Sequence, residues 1–266
     1  MNRVEVRASE FLRSVQSFTS TRVAVIGDVM LDIWLEGPVQ RISQEAPIPV
    51  VELTGREESP GGAANVAELL ASLGATVSLL GVVGHDNEAS ALREAVRSKN
   101  VTAWFVGDEG RPTTTKTRVV SGTQQICRVD VEERRPVRAS VEREMVEAIP
   151  EALDGADAVI ISDYGKGALT EKVVDAILSR TLTGEQPTVV DPNGPDATRY
   201  SRSTILKPNR YEAFRALQLP FSQDVSSSKL AEELKEKLNG CAVLVTDGAN
   251  GMTLAAEAGT CEIPAI

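Results

Sequence analysis

The stretch Ser59-Pro60-Gly61-Gly62-Ala63-Ala64-Asn65 separates extended chain from helix, and the fold turns on how it is read. Before it, Ala46-Pro47-Ile48-Pro49-Val50-Val51-Glu52-Leu53 carries prolines and β-branched residues, which favour extended backbone. After it, Ala63 to Leu73 is a strong helix former that Gly74 stops. Two glycines at a helix entrance remove the Cβ atoms that would hold a ligand off the backbone. The first N–H groups of that helix are unpaired and carry the positive end of its dipole. Asn65, about one turn in, adds an amide suited to sugar hydroxyls. A Gly-Gly that only packs a helix, with a solvent-facing Asn, fits the same residues. The rest of the chain has to decide.

Composition narrows the field. The chain has 266 residues, 42% hydrophobic and 25% charged, enough for one large domain or one domain with a small appendage. Aromatics are only 4%, so the core must be aliphatic. A formal charge of −10 argues against nucleic acid or an anionic membrane as partner. Cys127, Cys241 and Cys261 are widely spaced and lack a metal-ligand pattern, which fits a reducing cytoplasm. The N-terminus has no signal-peptide core, and no apolar run reaches membrane-spanning length. With His85 the single histidine and no G-x-S-x-G present, histidine metal sites and serine–histidine catalysis are poor expectations.

Taken in order, residues from about Val6 to Phe18 have helical apolar spacing. Val23 to Asp28 then reads as a buried parallel strand ending in a carboxylate, with Asp32 four residues on. Such strand ends are where α/β proteins place ligands, although a turn cap at Asp28 and a solvated Asp32 are the plain alternative. Residues 33–58 hold extended pieces at 33–36 and 48–53, and residues 112–132 hold a Thr/Val-rich hairpin turning at Ser121-Gly122-Thr123. All alternate polar with apolar residues, so they are expected to form a small separate lid sheet. Elsewhere strands and helices alternate, which predicts a three-layer α/β/α fold with a mostly parallel sheet. Its strands end at Asp28, Asp163, Asp191 and Thr246-Asp247, placing acids along one rim.

Two further motifs bear on chemistry. In Lys207-Pro208-Asn209-Arg210-Tyr211-Glu212, Asn209 and Glu212 stand as a helix capping box, or as holders of a magnesium–water cluster beside phosphates. Thr246-Asp247-Gly248-Ala249-Asn250-Gly251 is a glycine turn that serves either as a hairpin or as a phosphate cradle. Neither a Walker A pattern nor G-x-G-x-x-G occurs.

Together these residues resemble the ribokinase-like, PfkB-type carbohydrate kinases. Gly27-Asp28-Val29-Met30-Leu31-Asp32, Arg41 to Val50, Pro60 to Ala67, Ser162-Asp163-Tyr164-Gly165-Lys166-Gly167 and Val190-Asp191-Pro192 are similar to the D-glycero-D-manno-heptose-7-phosphate 1-kinases of ADP-heptose and lipopolysaccharide precursor synthesis. Arg41 to Val50 is the most specific of these, and the resemblance runs from about Thr21 onward. It implies that Asp28, Asp32, Gly61, Gly62, Asn65 and Asp163 serve the sugar, under a closing lid. Lys116, Arg118 and Arg128 on the hairpin are then expected near the sugar phosphate. Lys207, Asn209, Arg210, Tyr211, Glu212, Thr246, Gly248 and Gly251 would serve ATP, with Asn209 and Glu212 beside Mg2+. Lids in this superfamily often pair between subunits, so the resemblance also brings a homodimer into view.

The resemblance is incomplete in one respect. The family's D-x-x-G-A-G-D segment, which supplies the anion hole and the general-base Asp, occurs nowhere in these residues. That Asp is expected beyond Ile266, so no catalytic base is assigned. Each of the two contributes on the order of 10²–10³ in rate, so the polypeptide alone is expected to release no sugar-dependent ADP. Without the helices that follow, a sheet face should lie uncovered and solubility be marginal. Three readings compete: a split or truncated kinase, completed by a second polypeptide in the split case; a non-catalytic sugar-phosphate-binding module; and a kinase for another sugar.

Overall fold

The computed structural model describes residues 2–3, 8–222 and 224–265. After β1 (Asn2–Arg3) and α1 (Ala8–Ser17), β2 (Arg22–Gly27) enters the sheet centre. Val6, where the first helix was expected to begin, lies outside the described residues. With only Asp28 between them, the chain passes from β2 into β3 (Val29–Glu36), then β4 (Val39–Ile42), β5 (Pro49–Val51) and β6 (Gly55–Gly62). Next come α2 (Ala63–Ser72), β7 (Thr76–Val83), α3 (Asn87–Ala95) and β8 (Val101–Gly107). The hairpin is β9 (Thr115–Ser121) and β10 (Gln124–Val131). Then follow α4 (Ala139–Ala152), β11 (Ala158–Ser162), α5 (Glu171–Thr183), β12 (Thr188–Asp191) and β13 (Ile205–Leu206). The chain closes with α6 (Arg210–Ala216), α7 (Ser227–Lys237), β14 (Ala242–Thr246), β15 (Met252–Ala256) and β16 (Gly259–Ile263).

The main sheet has the order β1-β16-β15-β14-β13-β12-β11-β2-β7-β8. It is parallel from β14 to β8, and β15 pairs antiparallel with both its neighbours. The alternation read from the sequence is therefore present strand for strand. A second sheet, β10-β9-β3-β6, is the lid. Here the expectation needs correcting. The 48–53 piece does not join the lid sheet; β5 pairs only with β4 in a two-stranded ribbon. The lid's fourth strand is instead β6, which contains Pro60, Gly61 and Gly62. Proline is tolerated there because β6 is an edge strand.

Two apolar layers cover the main sheet. Met145, Ile149, Ile177, Phe214 and Leu234 from α4 to α7 pack on one face. On the other, α2 lays Ala63, Ala64, Ala67 and Ala71 against β2 and β7; these small side chains let the helix sit close. That second layer stops short. Along β12 to β15, Val190, Leu206, Val243 and Val245 are buried, while Val189, Ile205, Leu244 and Leu254 on the opposite face stay half-covered. The strip is thus partly covered rather than bare. Native protein should accordingly bind the dye ANS at neutral pH. A Leu244→Thr, Leu254→Thr variant should lose most of that fluorescence; an unchanged signal would place the dye elsewhere.

Candidate functional site

The strand ends bring the site together at the rim of the main sheet, beneath the lid. Asp28 is its organising residue, by a route the sequence did not disclose. Only 2% exposed, its carboxylate accepts backbone N–H bonds from Tyr164 (2.8 Å), Lys166 (3.0 Å) and Ala168 (3.3 Å). Its own N–H donates to Ser162 O at 3.0 Å, and its carbonyl accepts Ala63 N–H at 3.0 Å. Strand β2, the lid root, the start of α2 and the rim loop are thus tied at one residue. Asp163 is also engaged internally, accepting from Tyr200 Oη at 2.5 Å and Gly165 N at 2.7 Å. Both were expected to hold sugar hydroxyls. In the structure their carboxylates accept bonds from the Ser162–Ala168 loop, where a tight turn with Gly165 and Gly167 at φ +66° and +83° leaves amides needing acceptors.

Burial pushes the Asp28 carboxyl up to about 6; the amide bonds pull it down, and Asp163 adds repulsion. A folded value above the unfolded one means that the folded state holds the proton more tightly. The stabilisation from this group is complete below about pH 4 and lost as pH rises through about 6, a swing of ~3 kcal/mol. Urea unfolding between pH 4 and 7.5 should show it, and Asp28→Asn should flatten that part of the profile.

Asp32 is placed differently. It lies on β3, partly exposed, and accepts from Arg118 Nη1 at 2.7 Å; Arg118 also stacks 5.0 Å from the Trp34 ring centre. A Cβ on Gly61 would sit 2.7 Å from Asp32 Oδ2, so the glycine makes room for that carboxylate. Gly62 has φ +57°, and a Cβ there would meet Asp28 O at 2.4 Å. These glycines end β6 directly at the entrance of α2. Asn65 is exposed on the first turn of α2, whose N-cap Gly62 offers no side-chain bond. The other lid cations are paired: Lys116 with Asp130 at 3.2 Å, and Arg128 with Asp130 at 2.8 Å.

On the far side of the rim, Asn209 and Glu212 form a complete capping box. Glu212 N donates to Asn209 Oδ1 at 2.9 Å, and Asn209 N donates to Glu212 Oε2 at 2.7 Å. Lys207 Nζ contacts Asp191 Oδ1 at 3.0 Å. Burial, then Asp191, push the Glu212 carboxyl up against the pull of its Asn209 bond. Among the described residues no three acidic, histidine or cysteine side chains make a metal cage. Magnesium needs none, since it keeps several waters. The remaining Glu212 oxygen and Asp191, two carboxylates that repel each other, suit a hard cation. Asn209's oxygen is spent on its cap.

Arg210 is firmly held and also lines the cavity beside the glycine turn. Its guanidinium donates to Ser227 Oγ at 3.0 Å and Ser222 O at 3.1 Å, and lies 3.5 Å from Asp247. Tyr211 is 58% exposed. In the Thr246–Gly251 turn, Gly248 and Gly251 adopt φ +52° and +88°; Gly248 faces open space, while Gly251 passes against the backbone of Ile263. Beside this turn lies a cavity of about 950 Å³ bounded by Ser226, Asp247, Asn250 and Pro264, large enough for a nucleotide.

Two residues were missed. Tyr164 is half-buried, and its phenol is pushed up by burial and by Asp191, Glu212 and Asp32, so it stands between the two halves of the cleft. Lys166, 8% exposed, donates to Glu132 at 2.5 Å. Both sit inside the quoted Ser162–Gly167 motif. Their partners are distant in sequence.

Comparison with known proteins agrees with the geometry. Residues 20–266 match the model of the pfkB family carbohydrate kinases. The bifunctional protein HldE of Gluconobacter oxydans is 42% identical over 242 residues, covering 90% of this chain and 50% of that protein. HldE of Nitrosococcus oceani is 43% identical over 238 residues, covering 89% and 49%. The chain thus spans about half the length of the curated relatives it matches. Phosphofructokinase-2 from Escherichia coli, in complex with substrates and products, superposes with a TM-score of 0.72 at 20% identity, covering 92% of this chain and 78% of that one. Sheet order, lid and family match converge on one statement: this chain belongs to the pfkB family of carbohydrate kinases and has the ribokinase-like fold.

Proposed function

We propose that this chain is the sugar-binding and lid-bearing part of an ATP-dependent kinase for D-glycero-D-manno-heptose 7-phosphate, acting at the anomeric hydroxyl in the cytoplasm. The observation that carries the proposal is the Asp32–Arg118 pair set against Gly61, with Asn65 exposed on the first turn of the helix that follows Gly62, in a lid-bearing chain of the pfkB family. The heptose assignment rests on the Arg41–Val50 and Ser162–Gly167 stretches and on the similarity to HldE proteins. Asp32 and Asn65 orient sugar hydroxyls, and the lid excludes water so that ATP is not spent on hydrolysis. ATP takes the Thr246–Gly251 side. Glu212 and Asp191 hold magnesium, which when bound neutralises charge on the phosphates.

On this assignment the general base is none of the described carboxylates, and the 266-residue polypeptide binds sugar phosphate without releasing ADP. Calorimetry with the heptose 7-phosphate, alongside a coupled ADP assay, tests both halves. No binding removes the sugar assignment. Sugar-dependent ADP release would place the base inside these residues.

A further inference from the structure

The main sheet changes its direction of growth between β11 and β2: one run of strands leads away through β12 and β13, the other through β7 and β8. In open α/β sheets the crevice at such a switch, outside the carboxyl ends of the two strands, is where a ligand fits. Ser162 ends β11 at that point, in register with Gly27 of β2 on one side and Asp191 of β12 on the other. Tyr164 stands two residues further on. Its N–H donates to Asp28 Oδ2 at 2.8 Å, and Gly165 at φ +66° turns the chain back. The tyrosine therefore belongs to the crevice itself. The carboxylates that act on its phenol come from both sides, Asp32 from the lid and Asp191 and Glu212 from the floor.

Each of those three acids already has a partner. Asp32 accepts from Arg118 at 2.7 Å, Asp191 meets Lys207 at 3.0 Å, and Glu212 closes its capping box. Ser162 is the opposite case. It is 0% exposed, yet its Oγ completes no hydrogen bond, one of two such buried side-chain atoms among the described residues. A buried hydroxyl left over in this way costs stability and calls for a reason. The neighbouring phenol supplies one, since Ser162 lies close enough to ease its ionisation. A phenol that accepts from Ser162 keeps its own proton for a group in the crevice, and at neutral pH that proton stays on the oxygen.

On the function proposed above, the acceptor hydroxyl of the sugar must lie between Asp32 and the magnesium carboxylates Asp191 and Glu212, the place where Tyr164 stands. We propose that Tyr164 donates a hydrogen bond to the oxygen of that acceptor hydroxyl and so determines which hydroxyl is presented for transfer. Ser162 acts through it, as a positioning residue that orients the phenol. Phosphoryl transfer through a loose transition state asks much of the acceptor's position and little of its nucleophilic strength, so a donor on the acceptor oxygen is tolerated.

The test is calorimetry on the 266-residue chain with heptose 7-phosphate and with its 1,5-anhydro analogue, which lacks the acceptor hydroxyl. Wild type should bind the analogue roughly 5–10-fold more weakly. Tyr164→Phe keeps the ring and its packing, so its melting temperature should be unchanged. It should bind the two ligands equally, at the affinity of wild type for the analogue. Ser162→Ala should narrow the gap between the ligands when Tyr164 is present and do nothing in Tyr164→Phe. A gap that persists in full in Tyr164→Phe, or a wild type that binds both ligands alike, overturns the proposal and leaves the heptose assignment standing. If fructose 6-phosphate or mannose 6-phosphate binds in place of the heptose and is still weakened by Tyr164→Phe, the heptose assignment alone falls. No binding of any phosphorylated sugar overturns both.

Discussion

Asp28→Ala is expected to cost about 3–5 kcal/mol of stability, the largest effect of any single replacement at the rim. The side chain is wholly enclosed and accepts bonds from three amides of one loop. Alanine would leave all three donors without an acceptor and open space where the carboxylate stood. For a chain of this size such a loss lowers the melting temperature by roughly 6–20 °C. Asn keeps one carbonyl oxygen and should cost less than Ala. A melting temperature within a degree of wild type would show that water replaces the carboxylate and that the loop holds itself. The conclusion that Asp28 holds the rim loop together would then fail.

Asp32→Ala should behave in the opposite way. The carboxylate is partly open to solvent and, among the described residues, bonded only to Arg118, so stability should change by less than about 1 kcal/mol. Affinity for the sugar phosphate should fall by about 10–100-fold, the loss of charge-assisted bonds to hydroxyls. Two measurements on the same two variants therefore separate scaffold from ligand contact. If Asp32→Ala melted far below wild type and Asp28→Ala did not, the roles assigned to the two acids would be exchanged.

The two acids also show where sequence stops being informative. Their spacing in Gly27-Asp28-Val29-Met30-Leu31-Asp32 sets both just past the first sheet strand; Asp28 is at the rim and Asp32 is on lid strand β3. Which one faces the cleft depends on amides supplied from about 140 residues later, and no local pattern carries that. The main sheet was legible because buried parallel strands are unbroken apolar runs and each helix follows its strand. Strand β6 was not legible in the same way. Gly55-Arg56-Glu57-Glu58-Ser59-Pro60 has little intrinsic strand preference, and only pairing along β3 makes it one. The Asn209–Glu212 pair reads either as a cap or as a magnesium holder, and its geometry is that of a cap. The Lys166–Glu132 contact joins residues 34 apart on separate elements, beyond any helix or hairpin rule.

The single residue between β2 and β3, and the absence of any residue between β6 and α2, have a mechanical consequence. Half of the lid is a cantilever clamped at both roots into buried segments of the molecule, with no slack to act as a pivot. Strands β9 and β10 hang from loops and can swing only as far as their shared edge with β3 bends. Backbone amides of Leu31 and Ile33 should then exchange with deuterium near the global unfolding rate, while those along the free edge of β10 exchange orders of magnitude sooner.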